Sequence, residues 1–500
     1  MILDIDLKGS LKLPFIGYII RFAILSFLSF ISWNYFGILF VLFWFEVFKL
    51  LDDTDNISFR RSFFRFFLIV ASWHFGALSW MFGIDQGFFG FLNNLLLHLV
   101  PFVVFLVLKN RSTFFRPIFF IPIWLLFEYF ENVSLISFPW VILGNVFSNQ
   151  IYFVQWYEFI GVEGGSLWLL VVSYLLFYLN KHFSYKNLLL FLLVLGLPIL
   201  LSLLVRGSNS LEHKGGVKKY ILYNPEYSPH ELLRNKQELA FYLKKKLAKI
   251  DTVHAVLIPE TTFRGIKLDV LNKGLTFKYL NNSLIENEIE HIFYGATGFD
   301  KGSRSLVNGG VFLSSSDDPY LKVKKKLVPY SEYLPKKIAA FLEKIIYNPF
   351  VEGSEDEIIN NKKVLPLICY EGFFSFFVAN KARKTNIIYL ISSESFFKES
   401  YFGKRQYNNI LRLRAIETRL PLLKASFKGE SLHLNKFGEV IGKDRVEFAS
   451  FFVKQSVAKG TCYTKYVDKC RSFLVIIFLL VIVSPFLYVL FKRKVSKYIN

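Results

Sequence analysis

Most of the first 205 residues belong to apolar segments that are long enough to cross a lipid bilayer. A spanning helix needs about 20 mainly apolar residues to cross a hydrocarbon core about 30 Å thick. Phe, Leu, Ile and Trp dominate residues 13–205, whereas residues 206–470 have the mixed polarity of a globular domain. The sequence therefore predicts a membrane-embedded helical section and one domain outside the bilayer. The predicted spans are 14–32, 34–51, 62–83, 88–108, 114–130, 159–180, 187–205 and, near the C-terminus, 472–491.

The net charge of +21 could suit a protein that binds nucleic acid. Much of the positive excess lies in short loops and at the C-terminus rather than in a basic stripe interleaved with aromatic residues. This distribution argues against nucleic acid as a partner.

Basic residues occur in alternate loops of the helical section, which predicts its orientation. Loops 32–37, 83–87 and 131–137 contain no Lys or Arg. By the positive-inside rule the basic loops are cytoplasmic, so seven spans place residues 206–470 outside. An eighth span returns the basic tail 492–500 to the inside. The basic residues are Lys8, Lys12, Lys49, Arg60, Arg61, Arg65, Lys109, Arg111, Arg116, Lys181, His182 and Lys186.

The polar region alternates short apolar runs with helical patterns, which predicts an α/β layered domain. Predicted strands are 220–224, 254–259, 291–297, 307–314, 364–370 and 386–392, and predicted helices are 229–250, 283–290, 334–346 and 404–420. Residues 314–319 read as a hairpin turn.

Three motifs in this region supply a carboxylate, an amine and a thiol. They are LIPETTF (257–263) with Glu260, KKKLVPYSEYLP (324–335) with Lys324, and LICYEGF (367–373) with Cys369. A thiol is mostly protonated at neutral pH, so a nucleophilic cysteine needs a base and a nearby cation. Cys369 ends a predicted buried strand, where a sharp turn would expose the thiol beside backbone N–H groups that could bind an oxyanion. The plainer alternatives are a surface carboxylate, a solvated lysine and a buried cysteine.

Together the motifs resemble the Glu-Lys-Cys triad of the nitrilase superfamily. Framed by a long membrane section and a last apolar segment, they resemble the apolipoprotein N-acyltransferase family. The resemblance implies a membrane α-helical bundle plus an α/β nitrilase-like domain, built as a four-layer αββα sandwich. Its boundaries would be a seven-span bundle at 1–205, a catalytic domain at 206–471 and a C-terminal helix with a cytoplasmic tail at 472–500.

The resemblance also assigns roles to residues. Glu260 would be the general base, Lys324 the oxyanion-stabilising cation and Cys369 the nucleophile. The family pattern K-x-x-L-V-P selects Lys324, so its neighbours would be bystanders. These bystanders are Lys322, Lys325 and Lys326, and the supporting residues are Glu332, Tyr370 and Glu371.

Residues 138–168 are apolar but interrupted by proline and glycine, which predicts a re-entrant or interfacial loop anchored by Trp140 and Trp156. This stretch resembles the family's FPW-x-x-x-G segment. Trp140 and Phe396 are candidate substrate or membrane contacts. The chain departs from the family pattern at Ser392–Phe397 and at Tyr223–Pro229, whereas 412–426 resembles the family's following helix.

Neither a metal nor a diffusible cofactor is expected. The eight histidines show no H-x-H or H-E-x-x-H spacing, and no P-loop or dinucleotide fingerprint occurs. Cys462 and Cys470 could form a disulfide outside the membrane or remain two free thiols.

The resemblance implies acyl transfer from a phospholipid to a diacylated apolipoprotein. The reaction would take place at the outer face of the bacterial cytoplasmic membrane. Two alternatives remain open, namely a membrane-anchored nitrilase-type amidase and a catalytically silent membrane scaffold.

Overall fold

The computed structural model describes most of the chain. The described residues are 13–111, 115–134, 138–209, 216–225, 236–250, 253–267, 274–300, 305–315, 317–333, 350–353, 363–454, 460–469, 472, 475–476 and 478–484.

The described part of the first 209 residues forms seven α-helices that coincide with the predicted apolar segments. They are α1 (Leu13–Asn34), α2 (Phe40–Asp53), α3 (Phe59–Leu78), α4 (Gly87–Arg111), α5 (Phe120–Val133), α6 (Tyr157–Lys181) and α7 (Tyr185–Asn209). Among the described residues, five helices are long and apolar enough to span a membrane, namely all except α2 and α5.

Helices α2 and α5 are shorter than the sequence suggested. Each has 14 residues, which corresponds to a length of only ~21 Å at 1.5 Å per residue. A short 3-10 turn, Gly37–Leu39, precedes α2 and shortens its regular part. The count of seven spans and the domain boundaries therefore stay predictions.

Of the predicted eighth span, the described residues between 472 and 484 are helical, and the remainder lies outside the described residues.

The described strands form two sheets. The first has the order β11-β1-β2-β3-β4-β5 and the second the order β10-β9-β8-β7-β6. Their bounds are β1 (Val217–Tyr223), β2 (Ala255–Lys267), β3 (His291–Asp300), β4 (Ser305–Ser314), β5 (Tyr320–Val323), β6 (Val364–Ile368), β7 (Ile387–Ser393), β8 (Leu422–Phe427), β9 (Ser431–Leu434), β10 (Val440–Asp444) and β11 (Phe448–Lys454). The central pairs β1–β2, β2–β3, β6–β7 and β7–β8 are parallel.

The two sheets pack face to face between helices, which confirms the predicted αββα sandwich. Phe293 of the first sheet and Ile391 of the second belong to one buried cluster between the sheets. The outer face of the first sheet is covered by helices α8 (Lys236–Leu247) and α9 (Leu275–Glu286). Helices α10 (Ser375–Lys381) and α11 (Tyr401–Thr418) cover the second sheet, and their apolar cluster continues into the membrane-embedded helices.

The helix predicted by resemblance at 412–426 is wrong in its second half. Helix α11 ends at Thr418, Arg419 adopts a left-handed φ of 54°, and β8 begins at Leu422. Pro421 explains the break, because a proline disfavours helical geometry at the preceding residue and removes a backbone donor. The predicted helix 334–346 lies outside the described residues, and that at 283–290 overlaps only the end of α9.

Most of the segment 138–168 is buried inside the protein, although Tyr152, Phe159 and Ile160 are exposed. It forms three 3-10 turns, Pro139–Val141, Leu143–Asn149 and Ile151–Phe153, and then enters α6. Trp140 and Trp156 are only 2% and 4% exposed, so the prediction that they anchor the loop at headgroup depth is wrong. The indole of Trp140 finds its polar partner inside the protein, donating to Gln406 Oε1 on α11 at 2.9 Å.

Gln406 joins the helical section to the α/β domain. Its Oε1 also accepts from Trp80 Nε1 at 3.1 Å, and its Nε2 donates to Asn34 Oδ1 at 3.0 Å and to the Ala77 carbonyl at 3.1 Å. The side chain is buried, so these four bonds meet the polar requirements of its amide inside an apolar interface. The α/β domain therefore docks directly on the ends of α1 and α3.

Candidate active site

Cys369 lies where the sequence predicted, at a sharp turn after a buried strand. Strand β6 ends at Ile368, and a 3-10 turn, Cys369–Phe373, follows at once. Cys369 has a φ of 47°, a left-handed conformation that is strained for a residue with a side chain. Such strain persists only where the surrounding contacts hold it, and it is common at functional sites.

Glu260 lies inside strand β2 at a local irregularity. The pairing of β2 with β3 shifts register between Ile258 and Phe263, and Thr261 has a φ of 56°. The bulge brings backbone against Gly295 of β3, where an added Cβ would lie 2.2 Å from the Pro259 carbonyl oxygen. Only a glycine fits there. The carboxylate of Glu260 is consequently buried, with 4% of the residue exposed.

Lys324 joins two carboxylates at the end of β5. Its ammonium is 2.8 Å from Glu260 Oε1 and 2.9 Å from Glu332 Oε1, and the residue is 1% exposed. Asn308 of β4 donates from Nδ2 to the same two oxygens at 2.8 and 2.9 Å. Asn308 could not be predicted from the sequence, because a single amide on a strand carries no motif. The four side chains form one hydrogen-bonded group.

The charges of this group act on the Cys369 thiol. Burial raises the pKa of Cys369, and the Glu260 carboxylate raises it further, while the Lys324 ammonium opposes them. Burial alone would lower the pKa of Lys324, but Glu260, Glu332 and Cys369 together raise it well above its usual value. Lys324 therefore stays charged, and the resting thiol stays protonated at neutral pH.

Glu371 and Lys322 form a second buried ion pair beside the turn. Lys322 Nζ lies 2.8 Å from Glu371 Oε1, and the two side chains are 5% and 0% exposed. This contact shows that Lys322 is not on a solvated face, while its predicted status as a bystander in the reaction stays a prediction. Side chains two residues apart on a strand share one face, so Lys322 enters the interior on the same side as Lys324. Lys325 and Lys326 are both partly exposed.

The aromatic candidates lie in different settings. Tyr370 is buried against Phe373 and Phe374, with ring centroids 5.5 and 5.2 Å away. The Trp140 ring stacks on the Phe373 ring, with centroids 4.5 Å apart. Trp140 therefore packs against the turn that carries Cys369, inside the protein. Phe396 is partly exposed and lines an open cleft. The other walls of the cleft come from the turn before α4 and the first two turns of α4, from Phe138, and from residues 328–331, which follow Lys324.

The departure at Ser392–Phe397 still contacts the group around Glu260. The Ser393 backbone N–H donates to Glu260 Oε2 at 3.1 Å. Glu394 pairs with Lys424 of β8, and both are buried. This partner could not be predicted from the sequence, because the pattern at 412–426 placed Lys424 in a helix. Of Tyr223–Pro229, only residues 223–225 are described.

A histidine cluster occurs at the opposite end of the first sheet. His254, Glu290 and His291 have ligand atoms within 4.8 Å of one another. His254 Nδ1 is 2.6 Å from Glu290 Oε2, and Lys218 Nζ is 3.3 Å from His254 Nε2. The pairing of adjacent strands β2 and β3 brings these residues together. Motifs such as H-x-H or H-E-x-x-H, which depend on spacing along the sequence, could not reveal them. The ammonium of Lys218 already balances the Glu290 carboxylate.

The predicted disulfide partners cannot be compared in the structure. Cys462 is exposed, and Cys470 lies outside the described residues.

Sequence comparisons with known proteins support the resemblance found in the motifs. Residues 22–175 match the family described as the apolipoprotein N-acyltransferase N-terminal domain. The apolipoprotein N-acyltransferase of Rickettsia typhi is 24% identical over 401 residues, covering 75% of this chain and 77% of its own length. That of Haemophilus influenzae is 25% identical over 413 residues, covering 76% of each chain. Among solved structures, a CN-hydrolase superfamily protein from Xanthomonas campestris aligns with 51% of this chain and 95% of its own, at 13% identity and a TM-score of 0.35.

Proposed function

Because the chain is a homologue of the apolipoprotein N-acyltransferases over three quarters of its length, we propose that it performs their reaction. An acyl chain moves from a membrane phospholipid to the α-amine of the N-terminal diacylglyceryl-cysteine of a lipoprotein. The observation that carries the chemistry is the buried contact of Lys324 with Glu260, whose charges act on the Cys369 thiol.

In the first step Glu260 takes the proton of the Cys369 thiol. The sulfur attacks the ester carbonyl of the phospholipid, and the carbonyl oxygen becomes an oxyanion that Lys324 stabilises. When the tetrahedral intermediate collapses, the C–O bond breaks and the lysophospholipid alkoxide takes the proton held by Glu260. A thioester on Cys369 remains.

In the second step the free amine of the lipoprotein attacks the thioester carbonyl. Glu260 accepts a proton from the attacking nitrogen, the C–S bond breaks and an amide forms. The proton then returns from Glu260 to the sulfur, which restores the resting thiol. Both substrates are lipids, so docking of the α/β domain on a membrane bundle allows their acyl chains to stay in the bilayer.

The proposed function is tested by mass spectrometry of lipoprotein N-termini. A bacterium that depends on this protein should carry N-acylated, triacylated lipoproteins, and its depletion should leave diacylated lipoproteins with a free amine. Persistence of triacylated lipoproteins after depletion would refute the assignment. Hydrolysis of small amides by the purified protein in the absence of lipid would instead support the amidase alternative.

We propose further that the α/β domain faces the extracytoplasmic side of the cytoplasmic membrane. Two ion pairs support this orientation, because they show that basic residues of α4 and α6 lie at the same end of the bundle. Lys181 Nζ is 2.6 Å from Asp52 Oδ2, and Lys109 Nζ is 3.2 Å from Asp55 Oδ1. The domain docks at the other end of the bundle, near Asn34 and Ala77. By the positive-inside rule the basic end is cytoplasmic.

Reporter fusions test this orientation. A reporter that is active only outside the cytoplasm should be active when it is fused after residue 300 and inactive after residue 495. The expected contrast follows from the odd number of crossings before the domain and the return of the chain through a last helix. An inactive fusion at 300 with an active one at 495 would reverse the proposed orientation.

A further inference from the structure

The ion pair of Lys322 and Glu371 holds the turn that carries Cys369. Glu371 receives three hydrogen bonds of 2.8 Å, from the Lys322 ammonium, the Lys325 backbone N–H and the Ile368 backbone N–H. Ile368 is the residue before the nucleophile, and Lys325 is the residue after Lys324. One carboxylate therefore ties the lysine-bearing segment to the nucleophile-bearing segment.

Because the Glu371 side chain is buried, its negative charge needs the Lys322 ammonium as a partner. The Glu371 side chain is 0% exposed, so water cannot stabilise its charge. A buried carboxylate without a paired cation is strongly unfavourable, and the loss of one partner leaves the other charge uncompensated. Among the described residues, Lys322 is the ammonium that contacts Glu371.

From these contacts we propose that Lys322 is a positioning residue for the nucleophile and acts through Glu371. Its ammonium compensates the negative charge of the buried Glu371 carboxylate, which braces the left-handed turn at Cys369 through its bonds to the Ile368 and Lys325 backbone. The charges that act directly on the thiol come from elsewhere, namely Glu260, Lys324 and Glu332. This inference rests on the proposed function only in naming Cys369 as the nucleophile.

The test measures the reactivity of Cys369 with iodoacetamide across a range of pH, in a background with Cys462 and Cys470 replaced by alanine. No lipid is needed, so the result is independent of the acyl-transfer assignment. In Lys322→Met the negative charge of Glu371 is uncompensated, which disfavours thiolate formation nearby and raises the pKa of Cys369. The alkylation profile should therefore move at least half a unit to higher pH. Acylation of Cys369 by phospholipid should fall at least tenfold.

Three further variants separate positioning from a general loss of stability. The double variant Lys322→Met/Glu371→Gln removes both charges and should return the alkylation profile towards that of the parent. Lys322→Arg keeps the charge and should stay closer to the parent than Lys322→Met. Lys326→Met removes a charge from the same segment, where the ammonium lies over the Phe374 ring, and should leave the profile unchanged.

The inference is overturned if the alkylation profile of Lys322→Met coincides with that of the parent, even when less folded protein is recovered. A double variant shifted as far as Lys322→Met would also overturn it, because the effect would then not pass through Glu371. If Lys322→Met does not fold, the alkylation profiles of Lys322→Arg and of the double variant are compared with the parent. A large shift in the double variant would again overturn the inference. If the alkylation profiles shift as expected but phospholipid never acylates Cys369, the proposed function is refuted and this inference stands.

Discussion

Purified protein incubated with phospholipid alone should gain one acyl chain on Cys369, as a thioester that hydroxylamine removes. The expectation follows from two-step transfer, in which the covalent intermediate accumulates when the second nucleophile is withheld. A diacylated lipopeptide with a free amine should discharge the thioester to a triacylated product. Intact-protein mass spectrometry measures both the gain and the loss.

The controls for this experiment use the same chain and the same acceptor. Cys369→Ala should abolish both the adduct and product formation, whereas Cys462→Ala, which alters an exposed thiol, should leave them unchanged. A lipopeptide with an acetylated amine should not discharge the thioester. If the wild-type protein makes product without ever carrying the acyl chain, transfer is direct and the role proposed for Cys369 is wrong.

Replacement of Lys324 by methionine should lower acyl transfer by at least about a thousandfold. Loss of one donor to the oxyanion alone costs about 10²–10³ in rate. The variant also leaves the buried Glu260 and the partly exposed Glu332 without the ammonium that lies 2.8 and 2.9 Å from them. Their uncompensated charge disfavours the Cys369 thiolate as well. The measurement is the initial rate of thioester formation at a fixed amount of folded protein.

The matched control is Lys326→Met, which removes an equal charge from a partly exposed position two residues away. It should stay within about threefold of the parent, because exposed charges contribute little. Lys324→Arg keeps the charge but changes the geometry of the donor, so it should fold and still be strongly impaired. Similar modest losses in all three variants would mean that the lysines form a solvated patch rather than part of the site.

The sequence predicted those features that are encoded by local patterns. Apolar segments located the helices, and short apolar runs located β1–β4, β6 and β7. Motifs selected Glu260, Lys324 and Glu332, which the structure brings into contact. The motifs of Lys324 and Cys369 include a strand end or a turn, and that of Glu260 includes the irregularity within β2, so the identity of each residue and its local geometry are encoded together.

Features that depend on contacts between distant segments could not be predicted. Lys322 looked like part of a solvated lysine run, because β5 has only four residues and lacks a clear apolar alternation. Its burial depends on Glu371, which is 49 positions away. Trp140 was expected at headgroup depth, since an aromatic residue in an apolar loop has the same sequence signature at a headgroup and at a protein interface. The deciding partner, Gln406, is 266 positions further along the chain.

The four hydrogen bonds of Gln406 also constrain the order of assembly during synthesis. Its partners at Asn34 and Trp140 leave the ribosome 372 and 266 residues earlier. At about 5–20 residues per second, that interval lasts on the order of ten seconds to a minute. During this time Asn34 and Trp140 lack the amide that they contact in the complete protein. The α/β domain therefore completes the packing of a surface that the helical section presents first.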